Sequence, residues 1–294
     1  MKKALAIDVG GTKIYNAIID ENGKIVGEVE KNLTPKNYGD IISTFKTIIE
    51  KYQDEVDVIA FSTCGAVNNA NTGILGSTGN IAKEYPSTDF CSLSKKPVFV
   101  ENDANCAVWA EYAIGCAKNY SNIVMLTLGT GVGGGIIVDN KLLKGKNGSA
   151  GEMHFKLRTD KHRKCSCGAW DCFEIYSSGT GLKLTGEEIS SNPDITTYDI
   201  IQGYKDGCEL MTKIFDKWQA DIIAGCIGLA NIFDPDCIVL SGSMAEFVNT
   251  DYLTEQINKE IVTTPTKVLK ATSGNYAGMI GSALLAFRKV EING

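Results

Sequence analysis

Three cysteines fall within eight residues in the run Cys165-Ser166-Cys167-Gly168-Ala169-Trp170-Asp171-Cys172-Phe173-Glu174, and the chain's only two histidines, His154 and His162, stand just upstream. Thiolate and imidazole are the ligands of a tetrahedral zinc, and a Cys-x-Cys-Gly turn brings two sulfurs to one ion while the glycine relieves the backbone. The competing reading is that these cysteines are simply small buried hydrophobes. Glu174, two residues past Cys172, would fix a carboxylate to such a knuckle.

A second set of residues suits phosphate. Gly10-Gly11-Thr12-Lys13 and Gly129-Thr130-Gly131 are glycine-threonine turns, in which glycine lets backbone N–H groups approach phosphate oxygens and threonine adds a hydroxyl. One such turn alone is equally a glycine-rich hairpin; two together make a cradle for a nucleotide. Neither fits the P-loop or the dinucleotide-binding fingerprint. Asp8, beside the first turn, is placed to hold hydrated Mg²⁺ against phosphates, or else only to start the turn. Asp103 is the candidate general base, able to take the proton of a substrate hydroxyl as its oxygen attacks phosphorus, or else a helix N-cap.

The elements that must position these groups follow from pattern. Residues 3–8 read as a buried strand with a hairpin partner at 13–19, residues 37–52 as an amphipathic helix, and 56–61 and 98–100 as strands. The last of these strands runs into Glu101-Asn102-Asp103, after which 104–114 reads as a helix. Strand, glycine-threonine turn and strand then recur at 122–138, which predicts two lobes built on one plan. A single long helical stretch is expected over 204–233, strands at 237–240 and 268–271, and a closing helix over 276–288.

Bulk properties limit the partners. With 294 residues, 44% apolar, 22% charged and a net charge of −6, the chain is an ordinary globular one with no basic stripe for nucleic acid or an anionic membrane. No leader-like or membrane-spanning apolar run stands in the sequence. Ten cysteines without an export signal predict a reducing, cytoplasmic setting.

Asp8-x-Gly10-Gly11-Thr12-Lys13, Glu101-Asn102-Asp103-Ala104-Asn105, Leu128-Gly129-Thr130-Gly131-Val132-Gly133-Gly134 and Cys165-x-Cys167-Gly168-x-x-x-Cys172-x-Glu174 stand in the order seen in the ROK family of sugar kinases and repressors, which the chain resembles from residue 4 to about 286. The resemblance implies an actin-like (hexokinase-like, ribonuclease H-like) α/β fold with two lobes around a cleft: 1–118 with the closing helix 278–294, and 119–277 carrying the knuckle. It implies ATP, Mg²⁺ and structural Zn²⁺ as cofactors, and a homodimer. By the same resemblance Asp103 is the general base; Gly65, Asn80, Asn102, Glu152, His154 and Glu174 face the sugar. Gly10, Gly11, Thr12, Lys13, Thr130 and Gly131 hold phosphate, and Gly242 lies on the adenosine side.

The resemblance departs from the family at the histidine. Family members usually carry Gly-Glu-x-Gly-His; Gly151-Glu152-Met153-His154-Phe155 lacks the second glycine, so that in strict register Phe155 takes the ligand position. His154 is favoured as the fourth ligand with Cys165, Cys167 and Cys172, and His162 is its rival. The expected activity is ATP-dependent phosphorylation of a hexose or N-acetylhexosamine at its 6-hydroxyl. The alternatives are a sugar-responsive regulator, against which the early first strand and acidic chain argue, and a non-catalytic sugar-binding protein.

Overall fold

A computed structural model describes residues 1–76 and 81–293, with side chains described as far as 290; Asn80, expected to face the sugar, lies outside the described residues. The chain opens with β1 (Lys3–Val9), β2 (Lys13–Asp20), β3 (Ile25–Leu33), α1 (Tyr38–Tyr52), β4 (Val58–Thr63), β5 (Ala66–Val67), β6 (Ile74–Gly76), β7 (Val98–Asn102) and α2 (Asp103–Ala113). It continues through β8 (Ile123–Leu128), β9 (Val132–Val138), β10 (Lys141–Leu142), α3 (Phe173–Ser177), α4 (Gly179–Ser190), α5 (Thr197–Lys205) and α6 (Glu209–Phe233). It ends with β11 (Cys237–Ser241), α7 (Thr250–Asn258), β12 (Lys267–Lys270) and α8 (Ala277–Asn293).

Two five-stranded sheets carry these elements, in the orders β3-β2-β1-β4-β7 and β10-β9-β8-β11-β12. The second order copies the first. In each, a hairpin meander leads into parallel strands, as β1 pairs antiparallel with β2 and parallel with β4, and β8 pairs parallel with β11. Central strands such as β1 and β4 are near-continuous apolar runs because both faces are covered. This is the actin-like, hexokinase-like α/β fold, and its internal repeat explains why the same turn recurs about 120 residues later. Among the described residues, no helix is long and apolar enough to cross a membrane.

The chain divides into two compact units: Met1–Asn119, Gly135–Gly151 and Thr272–Gly294 form one, and Tyr120–Gly134 with Glu152–Ala271 the other. The segment 135–151, which the sequence pattern leaves in the second lobe, groups with the first because Lys144 reaches into it to pair with Glu101. In the first unit, Phe45, Phe61, Tyr85 and Phe90 pack mutually, mostly edge to face, over the sheet. α1 contributes Ile41, Phe45, Ile48 and Ile49 from one face and is capped by Asn37, which accepts from Asp40 N at 2.8 Å. α8 packs on α2, β1 and β4. At Gly281 a Cβ would lie 1.7 Å from the Cys106 carbonyl oxygen, so only glycine lets the two helices meet.

The expected helix over 204–233 is in fact two: α5 ends at Lys205, the chain reverses through Gly207 at φ +76°, and α6 begins at Glu209. Tyr204 then stacks on Phe215 at 4.1 Å. The apolar spacing is continuous across the break because both helices bury their stripes in the same core.

Glu111, in the last turn of α2, is fully buried and collects the ends of the first unit's segments. Its carboxylate accepts from Cys116 N at 2.9 Å, Thr272 N at 2.9 Å, Ser273 N at 2.6 Å and Thr272 Oγ1 at 3.0 Å. Burial pushes its pKa up, but the Ser273 and Cys116 hydrogen bonds outweigh it and leave the group below the usual carboxylate value. A depressed folded pKa contributes stability above the unfolded value and loses it as pH falls through the folded one. Glu111→Gln is therefore expected to cost about 2–4 kcal/mol at neutral pH. The melting-temperature gap to wild type should narrow as pH falls from about 5 towards 3; a gap that widened on acidification would refute the charged role.

Candidate active site

In the first unit, the Gly10-Gly11-Thr12 turn closes the β1–β2 hairpin, where Val9 faces Ile14. Gly10 N donates to Lys13 O at 3.0 Å, while Thr34 fixes the turn from behind through Oγ1 to Gly10 O at 2.6 Å and N to Thr12 O at 3.0 Å. The Thr12 and Lys13 side chains are left exposed. Asp8, the penultimate residue of β1, has Oδ1 accepting from Ser62 Oγ at 2.6 Å. Burial raises its carboxyl above the usual value, with the Ser62 bond opposing. A hard oxygen donor whose charge burial disfavours is matched to a cation, so Asp8 fits the role of Mg²⁺ ligand.

Asp103 is the first residue of α2 and is exposed. The capping duty that an Asp at this junction could have served falls instead to Asn102, whose Oδ1 accepts from Ala104 N at 2.9 Å and Asn105 N at 3.1 Å. Asn102 Nδ2 donates to Gly65 O at 3.1 Å. Gly65 and Asn102, the two positions expected to face the sugar, are thus joined to each other, and the Asn102 amide already has work on both ends. Asp103 Oδ1 accepts from Ala104 N at 2.8 Å, and its carboxylate lies at the positive end of the helix dipole.

In the second unit, the turn Gly129-Thr130-Gly131 is closed by Gly129 N to Gly131 O at 3.0 Å and pinned by Thr127 Oγ1, which accepts from Gly133 N at 3.1 Å. The start of α4 supports it: Gly179 N donates to Gly129 O at 2.8 Å, and Thr180 Oγ1 to Thr130 O at 2.8 Å. Gly242 follows β11 in the left-handed region, at φ +89°, and Met244 N returns to Leu128 O at 2.9 Å, so the segment expected on the adenosine side is tied to the strand end that leads into the Gly129-Thr130-Gly131 turn.

The knuckle lies in the same unit. One ligand atom from each of His154, Cys165, Cys167 and Cys172 falls within 4.8 Å of all the others. His162 is elsewhere, with Nε2 3.1 Å from Glu188 Oε1. The one-residue register shift is resolved by local pairing. Lys156 bridges Cys172 antiparallel, Phe173 N donates to Phe155 O at 2.7 Å, and the Phe155 ring stacks on Phe173 at 4.9 Å. Successive side chains of an extended segment alternate in direction, so Phe155 on Phe173 sends its neighbour His154 to the cysteines.

The donor set fits zinc. His154 Nδ1 is buried with no protein partner, which is the condition of an imidazole lone pair awaiting a metal. Its Nε2 lies 3.6 Å from Glu152 Oε2, the carboxylate that commonly orients a metal-bound histidine. Burial pushes the Cys165 and Cys172 thiols up, and a divalent cation is the partner that converts such thiols to ligands. A bracket that the sequence does not single out sets the loop: Asp171, at φ +58°, accepts from Arg163 N at 2.8 Å, His162 N at 3.0 Å and Tyr176 OH at 2.8 Å. Burial pushes Asp171 up, yet these bonds prevail and take it down to about 2.

Glu174 ties knuckle to turn. Its Oε1 faces Cys165 Sγ at 3.2 Å and Ser166 Oγ at 3.4 Å, while Oε2 accepts from Val132 N at 3.0 Å. A Cβ at Gly131 would sit 2.5 Å from that oxygen, so the contact itself calls for glycine there. Glu152 is more than half exposed, with its carboxylate open to a ligand.

Comparison with known proteins agrees with this geometry. The model of the ROK family matches residues 4–289. The N-acetylmannosamine kinase of Yersinia pseudotuberculosis is 31% identical over 97% of this chain and 99% of its own. The crystal structure of the ROK hexokinase from Thermus thermophilus is 26% identical with a TM-score of 0.87, covering 99% of this chain and 100% of that one. The ROK family glucokinase of Streptomyces griseus, solved with glucose and AMPPNP, is 27% identical with a TM-score of 0.79, covering 97% and 99%. With four motifs, a duplicated sheet order and a Cys₃His knuckle all accounted for, the chain belongs to the ROK family.

Proposed function

We propose that this chain is an ATP-dependent sugar kinase that phosphorylates a hexose or N-acetylhexosamine at its 6-hydroxyl, with Asp103 as general base. The observation that carries the reading is the division of labour at the start of α2: Asn102 caps the helix, and Asp103 stands exposed as the first residue of that helix. The relatives support the substrate class, since they are named for glucose and for N-acetylmannosamine.

Asp103 accepts the proton of the sugar hydroxyl as its oxygen forms a bond to the γ-phosphorus, while the bond from that phosphorus to the β,γ-bridging oxygen breaks and ADP leaves. The turns at Gly10-Gly11-Thr12 and Thr130-Gly131 bind phosphate through backbone N–H groups, with Lys13 adding charge and Gly242 bordering the adenosine. Asp8 holds hydrated Mg²⁺, which offsets phosphate charge when bound. Glu152, Glu174, Asn102, His154, Gly65 and Asn80 bind sugar hydroxyls or the acyl group. The knuckle is structural, because three thiolates and an imidazole leave no open coordination position.

ADP release measured with glucose, fructose, mannose, allose, N-acetylglucosamine and N-acetylmannosamine tests the reading. At least one sugar is expected to raise ATP turnover more than ~10²-fold over the sugar-free rate. ATP turnover unmoved by every one of them would leave a binding protein or regulator in its place.

A further inference from the structure

Like Glu111, Glu101, the residue before the Asn102-Asp103 junction, gathers four donors on a buried carboxylate, and it is 1% exposed. Its Oε2 accepts from Lys144 Nζ at 2.7 Å and Asn71 Nδ2 at 2.7 Å; its Oε1 accepts from Asn102 N at 2.9 Å and Asn105 Nδ2 at 3.1 Å. Three segments distant in sequence therefore meet on one carboxylate. The first is the β7–α2 junction that bears Asp103. The second is the loop after β5, where Lys144 Nζ also reaches Asn68 O at 3.2 Å and Asn71 Nδ2 also holds Val100 O at 2.8 Å. The third is the 143–151 loop, which continues directly into Glu152 and is stapled by Asn69 Nδ2 to Gly145 O at 3.2 Å and Lys146 O at 2.9 Å. Lys289 of α8 closes the cluster through Asn71 Oδ1 at 3.1 Å.

We infer that the buried Glu101–Lys144 pair is a positioning device for the phosphoryl-acceptor side of the reaction: it sets the backbone of Asn102 and Asp103, and it anchors the root of the loop that delivers Glu152. The inference rests on the reading of Asp103 as base and Glu152 as sugar ligand. Neither Glu101 nor Lys144 needs to touch a substrate for this. Glu101 fixes the Asn102 N–H, which aims the first turn of α2, and Lys144 makes the loop's starting point a fixed distance from that turn. A carboxylate with four donors has a single low-energy arrangement, and a displacement of about 1 Å at a reacting group can cost on the order of 10² in rate.

The test is steady-state kinetics on the full chain with the sugar that supports turnover. Lys144→Met removes the direct ion-pair partner of the buried Glu101. It is expected to lower kcat by about 10- to 100-fold and to raise the sugar KM about 5-fold or more, with the ATP KM unchanged within about twofold. Lys144→Arg, which keeps the charge and can reach the same oxygen, should restore kcat to within about fivefold of wild type. The Glu101→Gln/Lys144→Met double variant should be less impaired than Lys144→Met alone, because the unpaired charge goes with its partner. A cooperatively folded Lys144→Met enzyme with unaltered kcat and sugar KM would overturn the inference. So would a loss in which the sugar and ATP KM values rise together, or one that Lys144→Arg shares in full, for that is the mark of a non-specific disturbance. Asp103→Asn run alongside keeps the two readings apart: full activity there removes the base assignment, whereas a crippled Asp103→Asn beside an unaffected Lys144→Met removes only the brace.

Discussion

Asp103→Asn is expected to cut kcat by at least ~10² while leaving the sugar dissociation constant within about threefold of wild type. The substitution is nearly isosteric, keeps an acceptor for Ala104 N, and does not disturb the cap, since Asn102 supplies it. What it removes is the ability to take a proton from the attacking hydroxyl. Phosphoryl transfer is largely a matter of positioning and charge stabilisation, so a residual rate from the phosphate turns should survive. Isothermal titration with sugar, paired with initial rates, separates the effects. Undiminished kcat would end the assignment, and a large rise in the sugar dissociation constant would recast Asp103 as a binding group.

The second large effect concerns the knuckle. Purified protein is expected to carry one zinc per chain, and Cys172→Ser and His154→Ala to lose most of it, while His162→Ala keeps it, because His162 is engaged with Glu188 away from the sulfurs. Structural zinc in small sites contributes on the order of 10 kcal/mol in apparent binding free energy. The ligand variants should therefore melt well below wild type, and the sugar KM should rise at least about tenfold, since Glu174 follows Cys172 by two residues and Glu152 precedes His154 by two. Metal analysis by mass spectrometry with thermal melting decides it. A His162→Ala protein that alone loses zinc would move the fourth ligand, and metal-free wild type of full activity would leave the cysteines as core residues.

How much of this could be read from the sequence depends on how local each interaction is. The phosphate turns, the Asp103 junction and the Cys-x-Cys-Gly run are legible because their chemistry demands particular residues within a few positions. The helix cap shows the limit, for Asn102 and Asp103 are both good capping residues and only the backbone decides that Asn102 serves. β3 escaped notice because its 25–33 run is an edge strand with exposed charges and no clean alternation. The Glu101–Lys144 pair spans 43 residues, and nothing local to either residue names its partner. Position 154 was ambiguous in register, and the pairing of Lys156 with Cys172 selects it.

The division of the chain has a further consequence. The first unit is assembled from three separate stretches, the last beginning at Thr272, and its α2 meets α8 through a contact that tolerates no side chain at Gly281. A ribosome emits α2 long before α8, so the apolar flank of α2 and of β4 stays uncovered until α8 has been made. No single proteolytic cut or terminal truncation can release this unit whole. The nascent chain must carry its first sheet without the α8 cover while the second unit, sandwiched within the first in sequence, is made.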